Sequence, residues 1–189
     1  MTVEEELYIS IDIEASGPIP GDYSMLSIGA CLVNRPEQHF YRELQPISAN
    51  VVPEALKVSG FSMNALARTG TEPQEAIREF GAWVRASSTE RQPIMVAFNA
   101  AFDWSFVNWY FLHFEVENPF GIGPVDIKSY YMGLSGASWA GSRSSEIPDP
   151  YGSLGHHTHN ALDDAREQAS MFARMLAAPR LGPDSARGS

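Results

Sequence analysis

A chain of 189 residues is long enough for one domain with a sizeable core, and its composition, 44% hydrophobic and 19% charged, is that of a globular protein. The formal net charge is −10, and the 13 Lys and Arg residues form no basic run, which argues against a protein that coats long nucleic acid. No apolar run has the length of a membrane span, and the acidic first residues are unlike a signal peptide. The single cysteine, Cys31, excludes an internal disulfide framework and is expected in the core. We therefore expect a cytoplasmic protein.

The segment from Leu7 to Glu14 predicts a β-strand, because apolar residues alternate with polar ones. Residues two apart on a strand point to the same face, so Asp12 and Glu14 project side by side. Two such carboxylates repel each other unless a cation lies between them, and oxygen ligands suit a hard divalent ion such as Mg²⁺ or Mn²⁺. The alternative is a strand end with two solvated acids. This pair alone does not decide between that alternative and a metal site.

Two further strands and two helices are predicted to follow. The strands lie at 26–33 and 39–44, and a short helix lies at 53–58. Thr71 and Gln74 have the spacing of a capping box, and the helix after them carries an apolar stripe. Three strands joined by short turns predict an antiparallel meander at the start of the chain.

The middle of the chain is the most apolar part. A continuous apolar run at 93–98 predicts a central strand that is buried on both faces. The segment 102–114 has helical length and is apolar nearly all round, so we expect it to be buried, in part against another chain. A homodimer is therefore a candidate assembly. A further short strand is predicted at 125–127.

The last third is expected to hold a loop, a helix and a tail. Gly, Ser and Pro dominate from Gly133 to His159, which predicts a long, partly mobile loop that orders when substrate binds. The final helix is predicted at 161–177, and 179–189 is expected to be a disordered tail. Strands first, then alternating helices and strands, predict one three-layer α/β domain over residues 1–178 around a mixed sheet.

A second acidic element lies where the buried strand turns into the next helix. The sequence Phe98-Asn-Ala-Ala-Phe-Asp103 places Asp103 in the first turn of that helix. An acid at this position also complements the positive end of the helix dipole, so a purely local role is the alternative.

A third element, Thr158-His-Asn-Ala-Leu-Asp-Asp-Ala165, opens the last helix. At roughly 100° per residue, Asp163 lies nearly opposite the apolar stripe and is expected to be solvated. Asp164 lies at the edge of the stripe, where it can face inward, and is the functional candidate. His159 immediately precedes the helix, and an exposed loop histidine is the alternative to a functional one.

These three elements resemble the exonuclease motifs of the DEDDh family. Asp-x-Glu stands on the first strand, Asn-Ala-x-Phe-Asp at a strand-to-helix turn, and His-x₄-Asp at the start of the last helix. The spacing of His159 and Asp164 matches the histidine branch, because the tyrosine branch would place Tyr where Asn160 stands. The segment 53–60 also resembles one that these enzymes carry. The resemblance covers roughly residues 7–176 and implies a ribonuclease H-like fold, with the first three strands antiparallel and the later ones parallel.

The resemblance and the charges together imply hydrolysis of phosphodiesters with two metal ions. Two divalent cations, Mg²⁺ or Mn²⁺, roughly 3.5–4 Å apart, would clamp the attacking and leaving oxygens. The implied ligands are Asp12, Glu14, Asp103 and Asp164. His159 would act as general base on the attacking water, a task that an unperturbed pKa of about 6.5 suits. His156 and His157 do not have the spacing from Asp164 that His159 has, and they are interpreted as loop residues.

Substrate contacts are implied beside the motifs. Related enzymes bind the 3′-terminal nucleotide just after the first motif and wedge apolar side chains against bases. The matching residues are Ser16, Tyr23, Met25 and Leu26, with Asn99 and Phe102 from the second motif. Core packing is an equally good explanation for Met25 and Leu26.

We interpret the chain as a metal-dependent 3′–5′ exonuclease that releases nucleoside 5′-monophosphates from single-stranded ends. The acidic composition and the absence of a basic stripe mildly favour short RNA, gripped at one end, over long DNA. A DNA-trimming or proofreading exonuclease is the first rival. A non-catalytic ribonuclease H-like binding module is the second, and the four acids argue against it, because a binder has no need of mutually repelling carboxylates.

Overall fold

A five-stranded mixed sheet forms the centre of the described part of the chain. The computed structural model describes residues 6–152 and 159–178. Its strands are β1 (Glu6–Ala15), β2 (Met25–Leu32), β3 (Arg35–Glu43), β4 (Gln92–Ala97) and β5 (Val125–Asp126). They lie in the order β3-β2-β1-β4-β5. The pairs β1–β2 and β2–β3 are antiparallel, whereas β1–β4 and β4–β5 are parallel. The predicted fold class is thereby confirmed.

Six helices flank the sheet within the described residues. They are α1 (Pro53–Ser59), α2 (Met63–Thr69), α3 (Pro73–Ser88), α4 (Ala101–His113), α5 (Ile127–Ser135) and α6 (Ala161–Leu176). Two of them, α2 and α5, are absent from the sequence prediction. Among its residues α2 buries only Leu66, so it shows no apolar stripe. The start of α5 is set by Asp126, whose side chain caps it.

The two faces of the sheet are covered by different helices, which gives three layers. The aliphatic residues of β1 pack with α3 and α4, where Phe80, Phe106 and Phe111 are fully buried. On the opposite face, α5 and α6 pack on the strands through Ile127 and Phe172, among others. Cys31 is fully buried, as predicted, and burial raises the pKa of its thiol to about 12.

The cap of α3 differs from the predicted capping box. Glu72 is the N-cap, and its carboxylate accepts a hydrogen bond from the Glu75 backbone N–H at 2.9 Å. Thr71 lies one residue before the N-cap position. It forms an isolated β-bridge with Leu44, and its N–H donates to the carbonyl of Glu43, so it is paired with the chain that leaves β3 and cannot cap the helix.

Helix α4 is only partly buried within this chain, and burial of its remaining surface against another chain stays a prediction. Its inner face is buried, but Phe102 and Leu112 are 41% and 66% exposed. An almost wholly apolar sequence hides the direction in which the helix faces, because its two sides cannot be told apart by hydrophobicity. The homodimer stays a prediction.

The predicted loop begins later than expected. Residues 133–135 belong to α5, and two short 3₁₀ turns lie at Ala140–Ser142 and Ser144–Glu146. Arg174 of α6 donates to the carbonyl of Gly152 at 2.5 Å and so holds this segment against the last helix. Residues 153–158, with His156 and His157, and the expected tail lie outside the described residues. In residues 6–152 and 159–178, no helix combines the length and the apolarity that crossing a membrane requires.

Candidate active site

Strand β1 places Asp12 and Glu14 on the face of the sheet that α6 covers. In the antiparallel ladder, Asp12 lies opposite Gly29 and Glu14 lies opposite Ser27 of β2. The aliphatic residues that alternate with these acids along β1 point to the other face, as the period of two predicts. The side-by-side placement of the two carboxylates therefore follows directly from the strand.

Gly29 allows the start of α6 to lie directly on β2 beside Asp12. A Cβ atom at this position would stand 2.2 Å from the carbonyl carbon of Ala161 and 2.3 Å from the backbone nitrogen of Leu162. Both are backbone atoms, which cannot move aside unless the helix moves. The glycine is therefore needed for α6 to approach closely enough to bring Asp164 to the first motif.

We expect Gly29→Ala to lower both stability and activity, because the added methyl group pushes the start of α6 away. Overpacking of this kind typically costs about 1–3 kcal/mol of unfolding free energy. Urea denaturation measures the loss of stability, and initial rates of the nucleic-acid digestion that the motif resemblance predicts measure the loss of activity. Gly133→Ala in α5 is the matched control, since its Cβ would meet nothing within 4 Å. A Gly29→Ala variant as stable and as active as wild type would contradict this account.

Asp103 is brought to the same place by the turn between β4 and α4. It lies in the first turn of α4, is 4% exposed, and its Oδ1 accepts a hydrogen bond from the Ile13 backbone N–H at 3.1 Å. Asn99 in the turn adopts a φ of +58°, a conformation that Asn tolerates better than most residues. The second motif is thus hydrogen-bonded directly to the strand of the first.

The start of α6 supplies the third motif. Asn160 caps the helix through hydrogen bonds from the backbone N–H groups of Leu162 and Asp163. Asp164 is buried, whereas Asp163 is exposed and lies 3.5 Å from Arg166 in an ion pair. The prediction that separated these two acids by helical geometry is confirmed.

All five predicted catalytic residues line one open cleft of about 320 Å³. They are Asp12, Glu14, Asp103, His159 and Asp164. His159 is exposed, and its backbone has a φ of +56°. A ring nitrogen of His159 and carboxylate oxygens of Glu14 and Asp164 all lie within 4.8 Å of one another. The structure therefore joins residues that are far apart in the sequence.

Three of the four carboxylates of the cleft lie in an environment that disfavours their charge. Burial, followed by repulsion from Asp103, Asp164 and Glu14, raises the pKa of Asp12 well above its usual value. Burial and the charge of Asp164 raise the pKa of Glu14 to about 7. Burial raises the pKa of Asp103 to about 7 as well, although the Ile13 N–H opposes this change.

A divalent cation fits this set of oxygen donors. Carboxylates are the usual ligands of Mg²⁺ and Mn²⁺, and a bound cation would stabilise the ionised forms that burial and repulsion disfavour. The residues placed to hold such ions are the four acids of the cleft. Their assignment as ligands stays a prediction that this arrangement supports.

Three of the predicted substrate contacts are buried and do not line the cleft. Ser16, Met25 and Leu26 have no exposed surface. The Ser16 hydroxyl donates to the carbonyl of Asn50 and accepts from the Ser24 N–H, so it braces the loop after β1. Met25 and Leu26 are core residues, the alternative that their apolar character left open.

The other three predicted substrate contacts are accessible. Asn99 and Phe102 line the cleft, and both are exposed. Tyr23 is half-buried, and its ring lies so close to Gly17 that a Cβ there would approach Tyr23 Cδ1 to 2.2 Å. These side chains remain candidates for contact with a substrate.

Two residues of the site were missed by the sequence prediction. Asp126 accepts hydrogen bonds from the N–H groups of Ala100 and Ser129, which ties the β4–α4 turn to α5. Gln168 donates to Asp12 and accepts from Phe98. One signal was present for Gln168, since a polar residue four positions after Asp164 on an alanine-rich face needs a partner.

Comparison with known proteins identifies relatives that match nearly the whole chain. No protein-family model matches the sequence. The 3′–5′ DNA exonuclease Cap18 of Escherichia coli is 46% identical over 178 residues, which cover 91% of this chain and 92% of that protein. Ribonuclease T of Haemophilus influenzae is 27% identical over 181 residues, which cover 89% and 78% of the two chains.

Solved structures share the fold at low sequence identity. The nuclease domain of 3′hExo, a DEDDh family member bound to rAMP, has a TM-score of 0.74 at 12% identity, and the match covers 94% of each chain. E. coli exonuclease I in complex with a dT13 oligonucleotide has a TM-score of 0.68 at 12% identity, over 91% of this chain and 41% of that one. Both likenesses agree with the predicted ribonuclease H-like architecture.

Proposed function

This chain belongs to the DEDDh family of 3′–5′ exonucleases, and we propose that it degrades single-stranded DNA from the 3′ end to nucleoside 5′-monophosphates. The observation that carries the proposal is the single cleft in which four carboxylates and an imidazole meet. The relative that is 46% identical over 91% of this chain is a DNA exonuclease, which supports DNA as the substrate.

DNA replaces the short RNA that the composition mildly favoured. Net charge reports how strongly a surface attracts any polyanion, and it does not distinguish ribose from deoxyribose. RNA is kept as the second candidate substrate, because Ribonuclease T matches over 89% of this chain.

DEDDh exonucleases use divalent metal ions, and we assign two Mg²⁺ or Mn²⁺ ions to the four carboxylates of this cleft. When bound, such ions stabilise the negative charge that develops on the attacking and leaving oxygens. Asp12 and Glu14 hold their places through the rigid ladder of β1, and Asp103 through its hydrogen bond from Ile13. Asp164 is set by the close packing of α6 on Gly29.

His159 is assigned as the general base. Its imidazole lies beside Glu14 and Asp164 but is exposed, so it can accept a proton from the attacking water and release it to solvent. Phe102 offers an exposed aromatic ring to the terminal bases, and stacking of this kind tolerates any base. Asn99 and Tyr23 are assigned to the polar groups of the terminal nucleotide.

Digestion of 5′-labelled single-stranded DNA and RNA of matched sequence tests the proposal. With Mg²⁺ or Mn²⁺ we expect a ladder that shortens from the 3′ end, with DNA cleaved faster than RNA, and no cleavage in EDTA. The Asp12→Asn protein, purified in parallel, controls for contaminating nucleases. Cleavage that persists in EDTA, or products cut internally, would overturn the assignment. Faster cleavage of RNA would overturn only the preference for DNA.

A further inference from the structure

Gln168 is a buried amide that joins the first motif to the end of β4. It lies on α6, one turn after Asp164, and is 4% exposed. Its Nε2 donates to Asp12 Oδ1 at 2.7 Å, and its Oε1 accepts from the Phe98 backbone N–H at 2.9 Å. One side chain thus links α6 to β1 and to the residue that follows β4, beside the cleft.

The orientation of this amide is determined by its partners. The Phe98 N–H can only donate, so the oxygen of Gln168 must face it. The NH₂ group is then directed to Asp12, whose carboxylate can accept. Because the amide is bonded at both ends, it holds the Asp12 carboxylate in one rotamer relative to the strand end that leads to Asp103.

We propose that Gln168 is a positioning residue for metal binding: its amide fixes Asp12 Oδ1 and leaves the second oxygen of that carboxylate for a divalent cation. The inference rests on the proposed metal site. A neutral donor suits this task, since an ammonium or guanidinium group at the same place would compete with the cation for the negative charge of the cluster. The bond to Phe98 keeps the donor in place when the cation arrives.

Binding of Mn²⁺ alone, measured by calorimetry at constant pH without nucleic acid, tests the proposal. Gln168→Met keeps the length of the side chain but removes the donor, and we expect Mn²⁺ affinity to fall roughly 10–100-fold, as for other residues that orient metal ligands. The Mn²⁺ concentration for half-maximal digestion should rise in parallel, and the deficit in turnover should shrink at saturating Mn²⁺.

Gln74→Met is the matched control. Gln74 is a half-buried residue of α3 whose amide donates to the Phe114 carbonyl at 3.3 Å, and it does not line the cleft. Thermal unfolding in EDTA reports any purely structural cost of either substitution. A structural role alone would lower the melting temperature of the Gln168→Met protein and leave its Mn²⁺ affinity unchanged.

The outcomes distinguish a failure of the proposed metal site from a failure of the proposed role of Gln168. If wild-type protein fails to bind Mn²⁺, the metal site itself is overturned. If wild-type protein binds Mn²⁺ and folded Gln168→Met binds it within about twofold, the role of Gln168 is overturned, since a tenfold loss is the smallest expected effect. Should the variant not fold, a crystal structure of wild-type protein with Mn²⁺ decides. We expect the amide to remain within about 3.2 Å of Asp12, and an amide turned away would refute its role.

Discussion

Asp12→Asn is expected to abolish turnover and to leave the metal-free protein at least as stable as wild type. Removing one of the proposed metal ligands should forfeit several kcal/mol of charge stabilisation, so the rate should fall by on the order of 10³-fold or more. The fold should not suffer, because burial and three neighbouring carboxylates already raise the pKa of Asp12. A neutral amide of the same shape relieves that repulsion. Asp103→Asn is expected to behave in the same way.

Single-turnover digestion and urea denaturation in EDTA measure the two effects. Asp163→Asn is the matched control, because it makes the same change in charge at the exposed acid next to Asp164. We expect that control to digest DNA at a rate close to wild type. Undiminished activity in purified Asp12→Asn or Asp103→Asn protein would remove the basis for the metal site.

Burial of these carboxylates, together with their mutual repulsion, predicts how the stability of the metal-free protein depends on pH. The pKa of Asp103 rises on folding from 3.8 to about 7, and that of Glu14 from 4.5 to about 7. The folded state therefore binds more protons than the unfolded chain in this window, and unfolding free energy should fall as pH rises from about 4 to 7. Asp103→Asn should reduce this slope, since its amide does not titrate.

His159→Ala is expected to lower kcat by roughly 10²–10⁴-fold, the usual contribution of a general base. Binding of Mn²⁺ and of a short oligonucleotide should change little, because the proposed ligands and substrate contacts remain. The rising limb of the pH–rate profile should weaken or move. A base that must lose its proton before it can act makes the rate climb with pH through its own pKa.

The measurement is single-turnover kinetics across a pH range around neutrality, on a short labelled oligonucleotide at saturating Mg²⁺. His39→Ala is the control, because His39 is an exposed histidine of β3 that does not line the cleft. If His159→Ala cleaves within a factor of about three of wild type with an unaltered pH profile, His159 is not the base, since even a weak general base contributes about 10²-fold. The assignment of the carboxylates would survive that result.

Much of the site could be predicted because its parts are local. The period of two on β1 puts Asp12 and Glu14 on one face whatever packs around them. Helical geometry likewise separates buried Asp164 from exposed Asp163, because the direction of each side chain is set by its position relative to the apolar stripe. The antiparallel pairing of the first three strands was predictable too, since short turns make antiparallel neighbours. The parallel direction of the later strands was implied by the family resemblance, and the place of β4 beside β1 came only from the tertiary structure.

Tertiary structure alone decided which polar and apolar residues face the cleft. Met25 and Leu26 could have been substrate contacts or core, and the packing of both faces of β2 buries them. Gln168 is a polar residue whose role likewise could not be determined from the sequence. Its partners Asp12 and Phe98 lie 156 and 70 residues away in the sequence. No local sequence pattern predicts hydrogen bonds between residues so far apart. These bonds form only because the close packing of α6 on Gly29 brings the last helix to the strand ends.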